Sequence, residues 1–185
     1  MRGHPLSLPA CIALIHLAPA SPARSQVLWI NEFHYDNTGT DAGEFVEVVA
    51  PADFTDLASV RLTLYNGGDG TPYGSPHVLS SFTRGDTTSS FTLYSKAIPG
   101  LQNGAPDGLA LDLSGSVLHF ISYEGAFTAN SGPASGMRSL DIGHAESEAT
   151  ARGASLGLRG VGSTLADFTW TAFGVATPGQ LNAQQ

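Results

Sequence analysis

From Val27 to Phe173 the chain is cut into short runs of β-forming residues, each ended by glycine, proline or asparagine. The runs are rich in Val, Thr, Phe, Tyr and Trp. They fall at 27–35, 44–50, 59–66, 90–98, 108–113, 116–124, 155–160 and 168–173, with a weaker one at 77–83. Turn signals separate them at Asn37-Thr38-Gly39, Gly67-Gly68-Asp69-Gly70, Pro99-Gly100, Ser114-Gly115 and Pro178-Gly179. No window of a dozen residues places apolar side chains at helical spacing. The pattern predicts an all-β fold of about 7–9 short strands, a sandwich or a barrel. Unequal strand lengths and one long interruption favour the sandwich.

Within that frame, Leu109, Leu111 and Leu113 face one way and Ala110 and Asp112 the other. The two residues Ser114-Gly115 then give hairpin spacing to the next strand. The interruption is residues 125–154, rich in Gly, Ser and Ala. A stretch of that length inside one domain is functional, mobile, or packed across a sheet edge.

The first 25 residues read differently. MRGHP carries positive charge, LSLPACIALIHLAPA is a short apolar run, and SPARSQ offers small residues before a cut near Ser25-Gln26. We expect a secretory signal peptide over 1–25 and a single domain over 26–185, placing the product outside the cell or in the periplasm. Lipid attachment at Cys11 is disfavoured because no apolar run precedes it. The run is also too short and proline-interrupted to span a bilayer. The formal charge of the whole chain is −8; loss of Arg2 and Arg24 would leave −10 and no cysteine. Such acidity argues against gripping nucleic acid or an anionic membrane, and permits divalent cations.

Few residues suggest chemistry. No Gly-x-Ser-x-Gly elbow stands between a strand and a helix, there is no phosphate-binding loop, and His34, His77, His119 and His144 are scattered as ordinary surface or strand histidines. The stretch INEFHYDNTGTDAGEFVEVVAP (30–51) is the exception. Asp36, Asp41 and Glu44 surround a glycine-containing turn and are candidate Ca²⁺ ligands, although the spacing is not that of a twelve-residue calcium loop. A solvated, side-chain-capped turn and a pair of catalytic carboxylates are the other readings. Strict alternation puts Ile30, Glu32, His34 and Asp36 on one face and Trp29, Asn31, Phe33 and Tyr35 on the other. Glu32 would then look outward or to a sheet edge. For Glu32 and Glu47 the plain expectation is a hydrogen bond between strands or to loop backbone. The aromatics are expected in the core; exposed ones could form a carbohydrate or peptide platform.

The same stretch, with LTLYNGGDG, IPGLQNGAPDGLALDLSG, HFISYEGAFTANSGPASGMRSLDIG and SLGLRGVGS…DFTWTAFGVATPGQLN, resembles the lamin-tail domain of exported bacterial proteins. The resemblance spans 27–182. It implies an immunoglobulin-like β-sandwich, and no catalytic residues to carry over. In bacteria such modules precede the endonuclease/exonuclease/phosphatase-type domain of large secreted nucleases. No such domain lies within these 185 residues, and what the resemblance implies for them is a secreted binding, adhesion or accessory role. The expected partner is an extracellular protein or carbohydrate, with no cofactor required and Ca²⁺ the one candidate. An accessory or remnant of a nuclease system is the alternative, and a divalent-dependent phosphodiesterase a further one.

Overall fold

The computed structural model describes Met1 and residues 28–185. The expected signal peptide, its cleavage point and Cys11 lie outside the described residues. Eleven strands form two sheets. They are β1 (Trp29–His34), β2 (Phe45–Pro51), β3 (Val60–Asn66), β4 (Thr71–Val78), β5 (Thr83–Thr87), β6 (Phe91–Ala97), β7 (Asp107–Leu113), β8 (Ser116–Tyr123), β9 (Leu140–Asp141), β10 (Ser155–Gly160) and β11 (Phe168–Phe173). One sheet runs β11-β10-β1-β2-β6-β5 and the other β4-β3-β7-β8-β9. All pairings are antiparallel except β8 with β9. The architecture is the expected all-β sandwich, with more strands than the seven to nine read from the sequence. The weak run at 77–83 is a 3-10 turn at Leu79–Ser81 between two strands.

Between the sheets, Ile30, Phe33, Val46 and Val48 meet Leu62, Leu64, Leu109, Leu111 and Ile121. Tyr35 and Tyr123 stack across the gap, ring centroids 4.0 Å apart. The β7–β8 hairpin is as expected: Leu113 pairs with Ser116, and Ser114 and Gly115 both take positive φ, at 51° and 85°. That backbone twist matches the strands it joins.

Strict alternation fails in β1. The pairing with β2 shifts between Ile30 and Glu32, so Asn31 is an extra residue. Ile30 therefore shares the inner face with Phe33 and Tyr35, while Trp29 belongs to a separate cluster with Val49 and Leu93. Near the bulge the Ile30 N–H donates to Nδ1 of His119 at 3.2 Å, which leaves the imidazole proton on Nε2. Burial pushes the His119 pKa down to about 4. His34 and His119 are both buried strand residues rather than surface ones.

Both outer faces are covered. On the β4–β9 sheet, Phe127, Ala129 and Ala134 from the long 125–154 segment pack on Tyr65, Ala110 and Phe120. On the other, Trp29, Val49, Leu93, Leu158 and Phe168 form the third apolar cluster, with residues 177–185 laid beside them. Of the three sequence-based options, the long segment is thus a packed covering. No helix among the described residues is long and apolar enough to cross a membrane.

Candidate functional site

Three neighbourhoods contain the residues singled out from the sequence. The first is Glu32 and Glu47, directly opposite one another on β1 and β2 and fully buried. Glu32 Oε1 accepts from Ser155 Oγ (2.5 Å) and from the Thr177 N–H (3.0 Å), and Oε2 lies 3.1 Å from Thr177 Oγ1. Glu47 accepts from Asn31 Nδ2 (2.9 Å) and the Gly179 N–H (2.5 Å). The plain expectation, a hydrogen bond to loop backbone, describes both. The expectation that Glu32 looks outward holds for direction only, since residues 177–185 cover it. Burial raises both carboxyls, Glu47 to about 8, against the donors that lower them.

The second neighbourhood is the open end of the β1–β2 connection. Asp36 and Asp41 come together there, but Glu44 does not join them: its carboxylate accepts the Gly100 N–H at 2.9 Å. Glu146 and Glu124 take its place beside Asp36. Asp41 is engaged by the Asn37 N–H (3.3 Å) and by Asn103 Nδ2 (3.3 Å). Asp36 Oδ1 is buried without a hydrogen-bond partner. Among the described residues, no three histidine, cysteine or acidic side chains are grouped so as to hold a metal ion. Burial, then the charge of Asp41, raises the Asp36 pKa. Asp36→Asn should therefore raise stability in EDTA by about 1 kcal/mol, because the amide relieves like charge and supplies a donor. Thermal melting checks this, and a reversal of sign in millimolar Ca²⁺ would identify Asp36 as a ligand.

Sequence reasoning missed Glu146 altogether. It is 4% exposed, and from the long segment it reaches back to β1. Its Oε1 is 2.8 Å from His34 Nδ1, and Oε2 accepts the N–H groups of Tyr35 (2.7 Å) and Asp36 (3.2 Å). Nothing in GHAESEAT marks it beforehand, since its partners are more than a hundred residues away.

The third neighbourhood is a cavity of about 220 Å³ on the outer face of the six-stranded sheet. Trp29, Phe91 and Phe168 wall it, with Val161, Leu181 and Gln185 at its margin. Trp29 and Phe91 meet edge to face at 5.0 Å. Val161 and Leu181 are exposed, and none of the lining side chains is charged. The aromatic residues are sunk in this cavity rather than laid out as a flat platform.

No protein-family model, curated protein or solved structure matches this chain.

Proposed function

We propose that this chain is a secreted, non-catalytic β-sandwich module of lamin-tail type, which takes an apolar side chain of a partner protein into the cavity beside Trp29. The observation that carries this reading is the cavity itself, about 220 Å³ and lined by uncharged side chains. A dry cavity of ~150 Å³ is enough for one benzene ring, so this one suits a single aromatic or aliphatic anchor. The hydroxyls of Ser89 and Ser90 on its lining offer hydrogen bonds to a peptide backbone. A sugar would want an exposed aromatic face, whereas Trp29 is 1% exposed. The buried carboxyls support the non-catalytic half of the reading: the oxygens of Glu32 and Glu47 are engaged by hydrogen-bond partners within the fold itself.

Selection of displayed peptides on residues 26–185 tests it. Binders should share an apolar anchor, and Leu181→Glu at the exposed margin should weaken them at least ~10-fold while leaving the melting temperature unchanged. Selection of sugars instead, or turnover of any hydrolase substrate that Glu32→Gln abolishes, would replace the reading.

A further inference from the structure

We propose that Glu32 and Glu47 share a single proton, held on Oε2 of Glu32, and that this proton latches residues 174–185 onto the outer face of the six-stranded sheet.

The donor inventory places it. Asn31 Oδ1 faces the Trp29 indole N–H (3.3 Å), a group that only donates, and accepts from Gln185 Nε2 (2.6 Å), while Asn31 Nδ2 also donates to Gln185 Oε1 (3.1 Å). Its orientation is thereby fixed, and its Nδ2 must point at Glu47 Oε1. The backbone N–H of Gly179 points at Oε2. Both oxygens of Glu47 therefore accept, which is the pattern of an ionised carboxylate.

Glu32 is different. Asn182 Nδ2 donates to the Leu158 carbonyl at 2.9 Å, so Asn182 Oδ1 faces Thr177 Oγ1 at 2.8 Å. Thr177 Oγ1 thus sits between two oxygens, Asn182 Oδ1 and Glu32 Oε2, with one hydrogen for both. The chain closes if Glu32 Oε2 bears the proton and donates to Thr177 Oγ1, which donates on to Asn182. Ionised, Glu32 would leave two acceptors competing for one hydroxyl hydrogen beside a second buried carboxylate.

Among the described residues no cationic side chain is hydrogen-bonded to either carboxyl, and Arg159 of β10, two residues from Gly157, is exposed. Residues 174–185 contain no ionisable side chain, and neither does β11. Ser95 of β6 lies opposite Glu47, and Gly157 of β10 opposite Glu32. Asp86 of β5 and Glu146 add negative charge toward Glu47 and Glu32 respectively. His34, two residues along β1, is bonded to Glu146, and Lys96 reaches Ser81. The titration belongs to the pair. Because the folded pair holds its proton above the ordinary glutamate value of 4.5, the stabilisation is complete below that value. It is lost as pH rises through the pair's raised folded value. The proton leaves to water and the strap loosens.

Amide hydrogen exchange at Thr177 and Gly179 in the folded chain tests the latch, with Ala110 and Leu111 of β7 as internal reference. Protection of the strap amides is expected to fall at least ~10-fold between pH 6 and pH 9 relative to β7. In Glu32→Gln the amide NH₂ replaces the protonated oxygen, so protection should stay high and flat with pH. In Glu47→Gln an NH₂ is forced against a donor, so protection should be low at both pH values. Gly85→Ala shows that the probe reads the strap, since a Cβ there would collide with the Gly179 carbonyl; protection should be lost at every pH. Strap protection independent of pH in the wild type overturns the proposal. So does protection that is high at both pH values in Glu47→Gln and still pH-dependent in Glu32→Gln. Should Glu32→Gln not fold, the Glu32 carboxyl carbon resonance decides: a protonated shift at pH 6 supports the proposal, an ionised one overturns it. Leu181 and Gln185 line the Trp29 cavity, so an undocked strap would open it; that consequence rests on the proposed function, whereas the exchange experiment needs no ligand.

Discussion

Glu146→Ala is expected to destabilise the domain by about 3–5 kcal/mol, lowering the melting temperature by roughly 10 °C or more. Three groups lose their acceptor at once: the backbone N–H of Tyr35, that of Asp36, and the His34 ring. All are buried, so water cannot replace the carboxylate without opening the junction. The long segment also loses its tie to β1, leaving the bonds between Tyr35 Oη and the Glu146 backbone as the nearest attachment. Glu146→Gln should be much milder and should alter the pH dependence. Asn37 Oδ1, oriented by the Ala42 N–H, accepts from His34 Nε2, while Glu146 accepts from Nδ1. Donation from both nitrogens requires the imidazolium. Burial opposes that charge, but the bonds to Glu146 and Asn37 outweigh it and raise the pKa. The associated stability is full below the ordinary value of 6.5 and is lost as pH rises through the folded value. The side-chain amide introduced by Glu146→Gln can donate to a neutral His34, so the wild type's loss of stability above pH 6.5 should shrink in that variant. Chemical denaturation across pH checks both statements.

Trp29→Ala should cost about 3–5 kcal/mol, as much as Phe33→Ala in the inter-sheet core. That equality is informative because Trp29 points away from the core. An outer-face residue of a sandwich is commonly solvated, and its truncation then costs little. Here Trp29 is 1% exposed, packed on Phe91 at 5.0 Å and Phe168 at 5.7 Å. Phe33 has comparable company in Tyr123 at 5.5 Å and Trp170 at 5.6 Å. The indole N–H also orients Asn31, so the tryptophan's loss reaches Glu47 through one amide. Denaturant midpoints of the two variants side by side give the comparison.

What the sequence conveyed depended on how local the deciding physics was. The β7–β8 hairpin was legible because two residues of turn chemistry and three alternating leucines set it within eight positions. β4 and β5 were obscured by Pro72, Gly74, Pro76 and Gly85, residues tolerated because both strands lie at sheet edges. The face of Glu32 was legible, but the reason for its burial was not. Period-two reading cannot register an inserted residue, so the bulge at Asn31 misassigned Ile30. Glu44 looked like a companion of Asp36 and Asp41 by spacing, yet Gly100, 56 residues on, claims its carboxylate. Glu146 and Thr177 were invisible because each acts on β1 from more than a hundred residues away.

The strap also fixes an order of events during synthesis. Glu32 is made 145 residues before the Thr177 that caps it, and Glu47 precedes Gly179 by 132. A growing chain emerges from its N-terminal end, so β1 and β2 become available long before their outer face can be sealed. Until then the two carboxylates stay hydrated and ionised, and Trp29 remains uncovered. A chain stalled or clipped before Thr177 would present an acidic, tryptophan-bearing face to chaperones and proteases. Residues 177–185 thus double as a certificate that the strands before them have been made.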